Sequence, residues 1–137
     1  MKNDGKDAES AFEEHWTKVG HCERVRDARD LMGLNGGKRV ADFKKPSDFL
    51  VSSRVHPLHF AEVKSTVDAK RFSFDKIQSG QANAAQREYL QGSGSYIFYI
   101  FSYPLGRWFI MPCAVYAHQL KMGRKSISFE ELDPWIK

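Results

Sequence analysis

Residues 46–66 read PSDFLVSSRVHPLHFAEVKST, and their pattern decides the architecture expected around them. FLVSS and LHFAEVK are rich in residues that suit a pleated strand. The predicted strands are 48–52 and 58–64, with a turn near Ser53 to Pro57. Alternation along a strand puts Glu62 and Lys64 on one face, about 6.5–7 Å apart. Asp48 starts the partner strand, so a hairpin would bring it beside Glu62. Two acids and a lysine thus converge where apolar side chains would pack better.

Working outward, Ala8, Ala11, Phe12, Trp16 and Val19 recur at helical spacing, and Gly20 offers a stop. A first helix is expected over 8–19, after a loose end at 1–6. Residues 21–45 read as a mobile basic loop region. Within it, VRDARDLMG suggests a short helix, and LNGGKRVADFKK is punctuated by Asn-Gly-Gly. After the hairpin, DKIQSGQANAAQREYLQ reads as a helix ending at Gly92. SYIFYIFSY is a continuous apolar strand of the kind buried on both faces. Tyr96, Phe98, Tyr99 and Phe101 are therefore expected in the core rather than on a base-stacking platform. Pro104-Leu105-Gly106 turns the chain, RWFIMP pairs as a hairpin, and CAVYAHQL suggests a short helix. GRKSISFEELDPWIK is read as a polar tail with at most one helical turn. This order predicts one α/β domain over 1–137, a central mixed β-sheet flanked by helices.

The chain has 137 residues, 42% hydrophobic and 13% aromatic, enough for a folded domain with a core. No segment approaches the roughly 20 apolar residues of a membrane span, and no signal peptide is visible, so a cytoplasmic location is expected. Two cysteines without CxxC spacing speak against a zinc site or a disulfide framework. The formal charge is +4. Between Gly36 and Arg71 stand eight basic residues, including Lys38, Arg39, Lys44, Lys45, Lys70 and Arg71, against four acids. Positive charge is thus expected around the acids, where it suits a polyanion.

Converging carboxylates repel each other unless a cation lies between them. Hard oxygen ligands suit Mg2+, or Mn2+, better than zinc. A metal so held lowers the pKa of a bound water and neutralises charge on a phosphate. Lys64 could act on that water or on the transition state. The chemistry such a set would suit is phosphodiester hydrolysis. Asp42, in VADF, is a rival to Asp48. Glu62 and Lys64 could equally form a plain cross-strand pair. The five histidines show no metal-binding spacing; most are expected at the surface, with His59 close enough to Glu62 to touch the site.

PSDFLV followed, with thirteen residues between Asp48 and Glu62, by the Glu-Val-Lys of FAEVKST resembles the PD-(D/E)xK nuclease core, with a restriction-endonuclease-like fold. GKDAESAF resembles the first helix of Holliday junction resolvases in that superfamily, which carries a metal-proximal Glu; Glu9 matches it, with Glu13 as the alternative. FSFDKIQSGQ resembles the segment of RecU-type resolvases in which a Gln opens the helix behind the ExK strand; Gln81 matches, with Gln86 as rival. GRKSISFEEL resembles a RecU-type C-terminal segment. The resemblance implies a Mg2+-dependent endonuclease whose metal is held by Asp48, Glu62 and Glu9, with Lys64 and Gln81 completing the catalytic set. It implies DNA as partner, four-way junctions first, and a homodimer making two symmetric nicks. A restriction or repair nuclease of the same core is the first alternative, and an inactive nucleic-acid-binding module the second.

Overall fold

The computed structural model describes residues 4–25 and 45–135. The readings that fall on 26–44, among them Lys38, Arg39, Lys44, Asp42 and most of VRDARDLMG, lie outside the described residues. Helix α1 spans Asp4–Val19, so residues 4–6 belong to a helix rather than to a loose end. Strand β1 follows at once, Gly20–Arg24. Then come β2, Phe49–Ser53, and β3, His59–Thr66, both within a residue or two of expectation. After β4, Arg71–Ser73, and a 3-10 turn at Phe74–Lys76, helix α2 runs Ser79–Gln91. Strands β5, Tyr96–Ser102, and β6, Arg107–Pro112, form the expected hairpin. Helix α3 is Cys113–Lys121. The chain continues through β7, Ser126–Ser128, a 3-10 turn at Phe129–Glu131 and β8, Asp133–Trp135.

Six strands form one sheet in the order β1-β2-β3-β5-β6-β8, and β4 and β7 form a small second sheet. Strands β3 and β5 run parallel, joined through α2. The other neighbours in the large sheet are antiparallel. The architecture is the expected mixed sheet between helices. α1 covers one face with Phe12, Trp16, Phe49, Val51, Ala61, Val63, Tyr99 and Trp135 in one cluster. The other face carries Tyr96, Phe98, Ile100, Phe109 and Met111, packed with Phe72, Ala85 and Tyr116. The aromatic run of β5 feeds both clusters, and Tyr96, Phe98 and Tyr99 are fully buried.

Two expectations need correction. The first helix stops before Gly20 as expected, but residues 20–24 are an edge strand rather than the start of a loop. Gly20 pairs with Ser53, and a Cβ there would lie 2.1 Å from the Ser52 carbonyl oxygen, so the glycine that follows the helix also serves close backbone approach. The polar tail is also structured. β8 pairs with β6 and brings Trp135 against Phe12, Trp16 and Tyr99. Three-residue strands carry too little periodicity to be read locally; each is set by a partner far along the chain.

Candidate metal centre

The hairpin β2–β3 positions both acids. Phe49 faces Ala61 in an antiparallel register, which brings Asp48 level with the following residue, Glu62. The Asp48 carboxylate is locked there, its Oδ2 accepting the Val63 N–H at 2.9 Å. The Val25 N–H donates to the Asp48 carbonyl at 2.9 Å, and the Ser47 hydroxyl to the Phe49 carbonyl at 3.0 Å. The Tyr96 hydroxyl donates to the Pro46 carbonyl, tying the approach to β2 onto β5. His59, Ala61 and Val63 face α1, so alternation turns Glu62 and Lys64 toward α2.

Among the described residues each acid pairs with one lysine. Lys45 Nζ lies 3.4 Å from Asp48 Oδ1, and Lys64 Nζ lies 3.4 Å from Glu62 Oε2. Glu62 is only 2% exposed, and among the described residues its Oε1 has no hydrogen-bond partner. Burial pushes its pKa up to about 8, Asp48 adds to the rise, and Lys64 and Lys45 oppose it. The Tyr96 hydroxyl is raised for the same reasons, burial first and then the charges of Glu62 and Asp48. A buried carboxylate oxygen with no donor is costly. The donor set, two hard carboxylates with one oxygen unpaired, fits a Mg2+-class ion.

Asp48, Glu62 and Lys64 line one open cleft of about 470 Å³ with Glu9, Lys45, Lys76 and Gln81. The five residues singled out for catalysis therefore share one cavity. Gln81 sits in the first turn of α2, its Oε1 accepting the Gln78 N–H at 3.1 Å. Gln86, its rival, donates to the Ala82 carbonyl and lines a different surface, between α2 and α3.

Glu9 is placed less simply. Its Oε1 accepts from Arg24 at 3.0 Å, and the same guanidinium reaches Glu13 at 3.0 Å. Among the described residues no three His, Cys, Asp or Glu side chains stand close enough together to hold one ion. Glu9 is engaged by Arg24 and, among the described residues, does not close a three-carboxylate cluster with Asp48 and Glu62. Two carboxylates still suit Mg2+, which keeps several waters and takes further oxygens from a phosphate.

Other expectations are corrected here. His59 does not reach the site: it is 4% exposed and points into the α1 face beside Trp16. Its Nδ1 faces the Pro57 carbonyl at 2.9 Å and must carry the proton, so Nε2 accepts from the Tyr99 hydroxyl at 2.8 Å. Burial holds its pKa below the ordinary value. Lys70 and Arg71 do not ring the acids; they line a separate groove. Arg24, Lys76 and Tyr96 were missed as site residues. Arg24 fell in the segment read as loop, Lys76 in one read as helix, and Tyr96 looked like core, which it also is.

The fold is a restriction-endonuclease-like α/β core. It is shared with Archaeoglobus fulgidus Hjc, a Holliday junction resolvase from an archaeal hyperthermophile, with a TM-score of 0.59, 16% identity and 95% of each chain covered. At that identity the likeness is one of fold. No family model matches the sequence, and no curated protein matches it.

Proposed function

We propose that this chain is a metal-dependent DNA endonuclease that cuts branched DNA, four-way junctions first, by hydrolysing phosphodiester bonds. The observation that carries the reading is the buried pair Asp48 and Glu62, with one Glu62 oxygen unpaired and Lys64 beside the other. Asp48 and Glu62 would hold Mg2+ or Mn2+, and Glu9 assists from the cleft wall. When bound, the ion supplies a water of lowered pKa and neutralises charge on the scissile phosphate. Lys64, 13% exposed at the side chain, keeps its ammonium in the cleft to orient the water or stabilise the pentacovalent phosphate. Gln81 positions substrate or water from the first turn of α2. Lys45 and Lys76, at the cleft, supply positive charge for the phosphate backbone, and Lys70 and Arg71 do so outside it.

Paired nicks across a junction need two sites related by symmetry, so the working unit is a homodimer. The test is cleavage of a four-way junction and of a duplex of matching sequence, each with and without Mg2+. Junction nicking that needs Mg2+ and exceeds duplex nicking is expected. Glu62→Ala and Lys64→Ala should each lower the rate at least about 100-fold, the scale of losing one charge-stabilising group. Equal cleavage of the duplex would remove the junction preference and leave the nuclease. Normal cleavage by either variant would remove both.

A further inference from the structure

The groove that takes Lys70 and Arg71 also contains Arg107, has a volume of about 720 Å³ and holds a single acid, Glu130. Among the described residues none of its three cations is ion-paired. The two guanidiniums and the backbone that carries Lys70 are nonetheless held in place. Asp68 Oδ1 accepts the backbone N–H of both Lys70 and Arg71, at 2.7 and 3.0 Å. Arg71 Nε donates to the Ser126 hydroxyl at 2.8 Å. The Arg107 guanidinium lies 5.3 Å from the Phe109 ring centroid. The two anchored guanidiniums lose less freedom on meeting an anion, which favours binding.

The groove and the acidic cleft open on the same face of the large sheet. Glu62 and Lys64 leave β3 toward the α2 side, and Phe109, at the groove, belongs to the cluster on that side. Arg107, two residues before it, shares its face. The register gives their separation. Lys64 pairs with Ile100 and Ile100 with Phe109; Thr66 pairs with Ser102 and Ser102 with Arg107. Arg107 is thus two strands across and two residues along from Lys64, about 12 Å at the backbone. The segment between the two openings is itself basic: Lys70 and Arg71 line the groove, and Lys76 lines the cleft.

We infer that Lys70, Arg71 and Arg107 form a second phosphate-binding subsite, beside the cleft that Lys76 lines, that holds the DNA backbone a short way along the strand from the scissile bond. The inference rests on the nuclease reading above. A spacing of about 12 Å between the protein backbones at the two places is short enough for one strand to occupy both. An acidic peptide could match three cations, but the line of charge running on into the cleft through Lys76 suits one continuous polyanion at both places. The subsite registers the strand over Asp48 and Glu62; it takes no part in the chemistry.

The test is equilibrium binding of a fluorescent four-way junction in EDTA, where no cleavage occurs, across a salt series. The triple variant Lys70→Ala/Arg71→Ala/Arg107→Ala is compared with Lys18→Ala/Arg54→Ala/Arg87→Ala, which removes as much charge from exposed positions elsewhere. Both are first checked for a wild-type circular dichroism spectrum and melting curve. If the groove triple unfolds, the three single variants replace it, each expected to lower the slope by about one. The slope of log K against log salt should fall by about two to three in the groove triple and stay near wild type in the control. An unchanged slope in the groove variant, or an equal fall in both, overturns the subsite alone. Loss of affinity for poly-glutamate with DNA binding intact also overturns it, and makes the groove a protein-docking site. A wild-type chain that binds no DNA overturns the nuclease reading and the subsite together.

Discussion

At pH 7 an exposed glutamate is ionised, since its ordinary pKa is 4.5; Glu62, buried beside Asp48, is pushed to about 8. Below pH 4.5 the folded and unfolded chains both hold this proton. Between 4.5 and 8 the unfolded chain releases it and the folded, metal-free protein keeps it. The unfolded state then binds fewer protons, so the stability contributed by this group falls as pH rises through that window. In EDTA, the melting temperature of wild type relative to Glu62→Gln should therefore drop between pH 5 and pH 8. Parallel pH profiles for the two proteins would refute the assignment of the cost to Glu62. The alternation that put Glu62 and Lys64 on one face was readable in the sequence. The orphaned oxygen was not, because it depends on what the neighbouring strand and α2 leave beside it.

Helix α1 was legible from its apolar spacing, yet what it packs against was not. Phe12 and Trp16 meet Trp135 of β8 at ring-centroid distances of 5.4 and 5.9 Å. Trp135 is 8% exposed and closes the α1 face from a segment that looked like a polar tail. Trp135→Ala should cost about 3–5 kcal/mol, measured by urea unfolding; a loss under about 1 kcal/mol would mean that β8 does not close that face. Strand β1 makes a second case. Gly20→Ala places a Cβ against the Ser52 carbonyl, and the overpacking should cost roughly 1–3 kcal/mol. A neutral or stabilising alanine would contradict the close pairing of β1 with β2. Strands of three to five residues with mostly exposed, polar side chains do not announce themselves, whereas the seven-residue β5, packed on both faces, does.

The whole molecule sets one site at the meeting of α1, the β2–β3 hairpin and the start of α2. Paired nicking predicts a stable dimer, so sedimentation should give a mass near twice the 15.7 kDa of one chain. A monomer at micromolar concentration that still nicks junctions on both strands would refute the paired-site mechanism and leave the nuclease standing. The sequence by itself determined the acid–acid–lysine set and the strand-turn-strand that carries it, because a period of two and a hairpin are local properties. It also determined the buried strand β5, through an unbroken apolar run. Only the tertiary structure decided that Arg24 engages Glu9, that Lys76 joins the cleft, and that Lys70 and Arg71 stand apart in a groove with Arg107. Arg24 and Glu9 lie 15 positions apart, and Lys70 and Arg107 lie 37 apart (107 − 70), joined through turns and strand registers that local propensity does not specify. Packing across the sheet selects among them, and no single segment holds that information.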